Sequence, residues 1–519
     1  MEASRQAACL RSLPHVLWGG SRVQTPSISG VSLRCQAALL LTVGPSASAS
    51  TSPPYQHIGT VTEPNTSLND GFSSFDISFV DSQRDVYYLA DRAGCTTNAV
   101  PCADIVQLIT PTIQITHPGR FISGRIVAVD ANDGSLIGFL GLGADGKGVF
   151  AGNYNNPANP SSLGNPPSPT NPTGKGCAET PRDPRNGPNG VLTDNDGTVW
   201  VGDGNHASSV CSGPGGTFTT GSSSIVALNP KSGEVIVRLD NGGNRRADEA
   251  AFGNVGGGRI LFGNPEEVAP NFPFETIIST ESRKIIGKIV YDQTPPAAAG
   301  PTQVPAVGHG WDARIGDLSD PTAGGLEQSV WDPDDKVFLL NVPATKLNAG
   351  GEIDVISPNA DKDGAGQILK VFPLDNCGGS GLALAGNDLI VQCGGDVRII
   401  NEKNGELIKA FADGAGADEI WFNPGDGNVY QGLIGPPVGN SAGVGVLNVA
   451  SRTFLGIIPT AAGLGTHSVA ADARSNRIFY PQGEGSVASG NAGNGGIAMF
   501  HKDDSEPGPG RGDDSGGDN

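Results

Sequence analysis

The chain has 519 residues, 77 of them glycine and 39 proline, with 53 acidic against 33 basic side chains and a formal net charge of −20. That balance excludes nucleic acid and anionic membrane surfaces as electrostatic partners, since both demand a basic face. The glycines follow no collagen period and fall in turns between apolar runs, so the composition reads as turn-rich rather than as unfolded.

In chain order the first feature is a leader, residues 1–50, with Arg5, Arg11, Arg22 and Arg34 against a single acid, Glu2. An apolar stretch, QAALLLTV from Gln36 to Val43, precedes a run of small residues ending at Ser50. The order basic, apolar, small predicts a cleaved secretory signal and an extracellular destination. Two alternatives stay open: a bipartite leader for import into an organelle lumen, and a start codon placed too far upstream. The apolar stretch is too short to cross a bilayer, so no membrane span is expected.

From residue 51 to 501 a two-part phrase repeats. Its first part is an apolar run, a turn rich in Asp, Asn, Pro and Gly, and a second apolar run, as in PNGVLTDNDGTVWVGDG from Pro188 or HSVAADARSNRIFYP from His467. Its second part pairs two more apolar runs across a polar turn, as in SSIVALNPKSGEVIVRL from Ser223. Each phrase predicts two β-hairpins, hence one four-stranded antiparallel sheet, and radial repetition of such sheets makes a β-propeller. Inner hairpins begin near Phe75, Pro188, Ala247, Leu326, Gly379, Ala417 and His467, which makes seven blades the expected number.

The last phrase is incomplete. GIAMF, Gly496 to Phe500, runs into an acidic tail, residues 502–519, with no partner strand. Tyr55–Val61 (YQHIGTV) reads like the outermost strands GSLIGFL, RKIIGKIV and RTFLGIIP, so this N-terminal segment is expected to complete the seventh blade and remove an open edge. Residues 141–187 form a Gly/Asn/Pro-rich insertion, read as a surface loop or as a lid over one mouth of the channel. Outside the leader the cysteines number six, and the repeat phase predicts structural disulfides Cys95–Cys102, Cys177–Cys211 and Cys377–Cys393.

In a propeller the innermost strands line a central channel, and their first residues ring one mouth. Here those residues are Asp76, Asn189, Asp248 and Glu249, Glu327 and Gln328, Gly379 and Ser380, Asp418 and Glu419, and His467 and Ser468. The triplet Ala-Asp-Glu occurs twice, from Ala247 and from Ala417. Carboxylates converging in a narrow mouth repel one another, and they either bind a cation or hold protons through raised pKa values. Asn189, Glu249, Glu327, Glu419 and His467 form the candidate metal set, whose oxygen-rich chemistry suits Ca²⁺ best. Asp76, Asn189, Asp248, Gln328, Asp418 and Ser468 are the candidate ligand contacts. The plainer alternative is that these side chains satisfy neighbouring blade backbones or face channel water.

The phrases from Pro188, Gly325 and His467 resemble YVTN/NHL-type propeller repeats and the wider SMP-30/gluconolactonase-like group. In the gluconolactonase-like family a first-blade Glu, two Asn and an Asp hold a divalent metal at the channel mouth. By that resemblance Asn189, in Pro-Asn-Gly, matches one such Asn, whereas Asp76 stands where the family carries Glu. The expected function is a secreted, monomeric propeller that binds a small or extended, carbohydrate-like ligand at its channel mouth, with a divalent cation as the candidate cofactor. A metal-dependent hydrolase or lactonase and a non-catalytic extracellular interaction module are the alternatives.

Overall fold

A computed structural model describes residues 54–61, 75–92, 107–108, 114–115, 124–141, 149–150, 187–206, 222–243, 246–265, 272–292, 307–310, 325–361, 364–434, 442–460, 466–482 and 496–502. The described elements are all strands. No helix among these residues is long and apolar enough to cross a membrane.

Each repeat is organised by its turn. Asp81 Oδ1 accepts the backbone N–H of Gln83 at 3.0 Å and of Arg84 at 3.1 Å, and Asp332 Oδ1 accepts those of Asp334 at 2.9 Å and Asp335 at 3.2 Å. Asp194 and Asp472 cap their own turns in the same way. A side chain that mimics a backbone turn stops one strand and aims the chain back along it. The next residue then adopts a left-handed conformation, with φ of 57° at Asp85, 57° at Lys336 and 56° at Asn476. The Asp-rich turns in the sequence thus become hairpins, and the flanking apolar runs pair.

Seven four-stranded antiparallel blades result. Blade 1 comprises Phe75–Asp81, Val86–Asp91, Arg125–Asp130 and Leu136–Leu140. Blade 2 comprises Gly187–Thr193, Val199–His206, Ser222–Leu228 and Val235–Asp240. Blade 3 comprises Ala250–Gly253, Arg259–Asn264, Phe274–Ser279 and Lys284–Val290, to which Val307–His309 adds a short parallel strand. Blade 4 comprises Ser329–Asp332, Val337–Val342, Glu352–Ile356 and Ile368–Pro373. Blade 5 comprises Leu382–Ala385, Asp388–Gln392, Val397–Asn401 and Leu407–Phe411. Blade 6 comprises Ala417–Asn423, Asn428–Ile434, Ala442–Asn448 and Thr453–Ile458. Blade 7 comprises Ala470–Ala471, Ile478–Gln482, Gly496–Lys502 and, from the other end of the chain, Tyr55–Val61.

The innermost strands touch one another in order around a circle, and Ala470–Ala471 meets Phe75–Asp81, so the ring is closed. The protein is a seven-bladed β-propeller. Tyr55–Val61 pairs antiparallel with Gly496–Lys502, Val61 opposite Ile497 and Tyr55 opposite Lys502, as the unpaired last repeat requires.

The core lies between blades rather than inside them. Val61, Phe479 and Ile497 of blade 7 pack against Tyr87, Leu89 and Val127 of blade 1, with the Tyr87 and Phe479 rings stacked at 4.7 Å. Tyr88, Ile126, Val201 and Val226 join blades 1 and 2 in the same manner. Burying such a side chain is worth about 1.5–3 kcal/mol, so each blade is stabilised mainly by its neighbours.

Every outermost strand carries one residue that is skipped by the ladder. These are Ile58, Ile137, Ile236, Ile286, Leu369, Ile408 and Leu455, one per blade. A bulge of this kind twists an edge strand away from further pairing. In four blades the bulge residue is followed by glycine, at Gly59, Gly138, Gly287 and Gly456, which is the likeness that marks Tyr55–Val61 as an outermost strand in the sequence.

Cys377 and Cys393 form a disulfide that ties the start of blade 5 to the end of its second strand. The expected pairs Cys95–Cys102 and Cys177–Cys211 lie outside the described residues, as do the leader, the tail from residue 503 and nearly all of the 141–187 insertion.

Two outcomes are expected. Val61→Asp, which places a charge where Ile497 and Met499 pack, costs roughly 3 kcal/mol or more and lowers the urea midpoint without changing the spectrum of the surviving folded fraction. A Cys377→Ser/Cys393→Ser double variant loses about 3 kcal/mol by the loop-closure estimate for a loop of this size. Equilibrium unfolding measures both, and a midpoint unchanged from the parent contradicts either one.

Candidate functional site

The ladder breaks at three places on the inner strands. Register slips between Phe75 and Ser78 in blade 1, between Pro188 and Val191 in blade 2, and between Ala417 and Ile420 in blade 6. The skipped residues include Asp76, Asn189, Asp418 and Glu419. Irregular pairing re-aims side chains that a regular pleat would alternate, so the mouth residues owe their placement to these breaks. In blade 3 the hairpin extends back through Asp248 and Glu249, whose backbone groups pair with Gly263.

Close approach of blade 2 fixes that extension. A Cβ at Gly190 would overlap the carbonyl oxygen of Asp248, and one at Gly202 would overlap that of Ala247. Glycine at both positions lets blade 2 press against the segment that carries the blade 3 acids.

The outer tier of the mouth is a chain of ion pairs. Arg92 binds Asp76 through Nη2 and donates from Nε to Asn189 Oδ1 at 2.8 Å. Arg246 joins Asp76 Oδ2 at 3.0 Å to Asp248 Oδ2 at 2.8 Å. His467 donates from Nε2 to the Phe75 carbonyl at 3.2 Å, and its Nδ1 faces Asp76 Oδ1 at 3.8 Å and Asp418 Oδ2 at 3.6 Å. His467 and Asp418 keep 31% and 37% of their side-chain surface in solvent, which makes them the accessible rim.

The inner tier is held differently. Glu419 Oε2 accepts from Ser468 Oγ at 3.0 Å, and Ser468 Oγ in turn accepts the Ser78 N–H at 2.8 Å. Gln328 spends its amide on backbone, donating to the Ile420 carbonyl and accepting from the N–H groups of Leu382 and Ile420. Glu249 is 9% exposed, and its Oε2 has no hydrogen-bond partner. Burial pushes its carboxyl well above the usual range, and Glu419, Glu327, Asp248 and Asp418 push in the same direction. Glu419 is raised by burial and by Asp418, against a lowering by its Ser468 hydrogen bond. These two acids are pushed toward their protonated forms, where Asp76 and Asp248 are paired with arginines.

Glu249, Glu419 and Gln328 stand over a cavity of about 260 Å³ inside the channel, whose walls are Ile77, Val330, Leu384 and other inner-strand residues. Phe79, Phe252, Trp421 and Phe422 line this cavity and also a second one of about 330 Å³ that reaches the Asp81–Arg84 and Asp194 turns. Phe79 and Trp421 meet edge to face at 5.4 Å. An aromatic waist therefore separates an acidic upper chamber from a lower one.

The structure brings Asp76, Asn189, Asp248, Glu249, Glu327, Asp418, Glu419, His467 and Ser468 to one mouth. Among the described residues no group of three or more His, Cys, Asp or Glu is arranged to hold a metal ion. Asp76 and Asn189 are already engaged by guanidinium groups. So engaged, Asp76 and Asn189 are not open donors for a divalent cation. Arg92 and Arg246 are the residues that sequence reasoning missed. Arg246 directly precedes the first Ala-Asp-Glu triplet, and a cation beside paired acids was the available signal.

No family model matches this chain, and no curated protein does. Among solved structures, the Neurospora crassa Pan2 WD40 domain is similar with a TM-score of 0.46 at 7% identity, over 87% of this chain and 96% of that one. A chain of a mitotic checkpoint complex crystal structure is similar with a TM-score of 0.43 at 10% identity, over 91% and 99%. Superpositions this loose carry neither a partner nor an activity across, and the propeller rests on its own seven sheets.

Burial and neighbouring acids raise Glu249 and Glu419 in the folded protein above the ordinary value of 4.5 that they have in the unfolded chain. Stability is therefore fully present below about pH 4.5 and is lost as pH rises through the raised folded values. Each group takes away about 1.4 kcal/mol per pH unit across that interval. Glu249→Gln removes one titrating group, so above about pH 5 its Tm falls less with rising pH than the parent's, and the two curves converge near pH 4. Parallel curves from differential scanning calorimetry contradict this.

Proposed function

We propose that the chain is a ligand-binding propeller that admits a small molecule into the upper chamber of its central channel. The observation that carries this reading is the chamber itself: a concave space lined mostly by apolar residues, with a few convergent polar groups at its top and aromatic side chains at its floor, the usual form of a small-molecule site. His467 and Asp418 form the rim that a ligand meets first, and Glu249 and Glu419 are the polar groups it reaches inside. The reading needs no metal. An oxidising destination, secreted or lumenal, belongs to the same proposal and is supported by the Cys377–Cys393 disulfide.

Ala250 lies on an inner strand and lines the chamber. Ligand-observed NMR with a fragment set tests the proposal. Fragments that bind the parent are expected to lose at least tenfold in affinity against Ala250→Trp, whose indole fills the chamber. Unchanged binding to Ala250→Trp, or no binding fragment at all, overturns it.

A further inference from the structure

We infer that the ligand of the upper chamber is a small organic cation, a protonated amine on an apolar or aromatic body, with its ammonium seated against Glu249. This inference rests on the chamber being a ligand site and adds the chemical class. Its first support is Glu249 itself, a nine-tenths buried residue of the chamber lining whose Oε2 has no hydrogen-bond partner. A buried acceptor without a partner is costly, and a ligand that brings a donor relieves that cost.

The second support is the distribution of cations. Arg92 and Arg246 are committed to Asp76 and Asp248 in the outer tier. Among the described residues Glu249 and Glu419 form no ion pair of the kind that holds those two acids, yet each lies within the field of Glu327, Asp248 and Asp418. The inner tier is an electrostatic site for one positive charge. Of the polar side chains beside it, Gln328 is spent on the backbones of blades 5 and 6, and Ser468 on Glu419 and Ser78. The ionisable group that the walls offer a ligand is a carboxyl, which a neighbouring ammonium favours in its ionised form and an anionic ligand does not.

The third support is the floor. Trp421, Phe79 and Phe252 line the lower wall of the upper chamber, and aromatic faces both cover an apolar body and attract a cation. A volume of about 260 Å³ matches roughly nine waters at ~30 Å³ each, enough for a single ring with a short aminoalkyl arm. A bare metal ion would need several converging ligands, and the described side chains form no such group.

Isothermal titration calorimetry at pH 7 with phenethylammonium chloride, 2-phenylethanol and sodium phenylacetate tests the class. The ammonium is expected to bind at least tenfold more tightly than the alcohol, with phenylacetate weaker than both. In Glu249→Gln the ammonium is expected to fall to the affinity of the alcohol, while the alcohol binds as it does to the parent. Glu419→Gln, measured alongside, is expected to narrow the preference as well and stands in if Glu249→Gln does not fold. Alcohol binding equal to the ammonium in the parent, or a tenfold ammonium preference retained in the folded Glu249→Gln variant, overturns the amine class and leaves the chamber as a ligand site. Failure of all three probes to bind overturns the inference together with the site it rests on.

Discussion

The pairing of Tyr55–Val61 with Gly496–Lys502 is the interaction on which the other contacts depend. A propeller blade buries its faces on its neighbours, so a ring left open exposes two blades at once. Val61, Ile497 and Met499 close the gap by joining the cluster that also holds Tyr87 and Leu89 of blade 1. Bringing together segments more than four hundred residues apart costs about 5 kcal/mol if the chain between is treated as free. The intervening blades do most of that work, because each sets the angle of the next. Burial of a few aliphatic side chains then suffices to hold the ends. The channel inherits its geometry from this closure, since the seventh inner strand is only Ala470–Ala471 and leaves Phe79 and Trp421 to meet across it.

Closure also explains why the mouth can carry so much charge. Asp76, Asp248, Asp418, Glu249, Glu327 and Glu419 come from blades 1, 3, 4 and 6, far apart in sequence. Held at the strand starts by rigid sheets, they cannot retreat from one another. The molecule relieves the repulsion in two ways. Guanidinium groups neutralise Asp76 and Asp248, and raised affinity for a proton eases the repulsion at Glu249 and Glu419. The division follows depth: the arginine heads reach the outer tier, and the inner tier is left with acids that hold no arginine, above an aromatic floor.

The architecture was legible because it is written locally. Asp81, Asp194, Asp332 and Asp472 announce turns by side-chain chemistry, and the apolar runs beside them alternate or fill as strands do. Ile-Gly or Leu-Gly at the outer bulge betrayed the displaced strand from Tyr55. The Ala-Asp-Glu triplets pointed at Glu249 and Glu419 for the same reason. Arg92 and Arg246 were harder to see, since an arginine at a strand end reads as surface, and only the register breaks at Asp76 and Asn189 turn those residues toward it. Gln328 shows the converse: a polar residue at the right phase whose amide is spent on neighbouring strands, a distinction that phase alone does not carry.

The shared seventh blade has a consequence for biosynthesis. Tyr55–Val61 leaves the ribosome before any of the blades, yet its partner strand is among the last to emerge. At ~5–20 residues per second the segment must wait roughly 20–90 s unpaired while six blades assemble behind it. A strongly apolar strand would not survive that delay without finding another partner. Gln56, His57 and Thr60 keep three of its four exposed positions polar, and the skip at the fourth, Ile58, makes it a poor template for a copy of itself. The interrupted, mostly polar strand that starts the ring is therefore suited to being the one that waits.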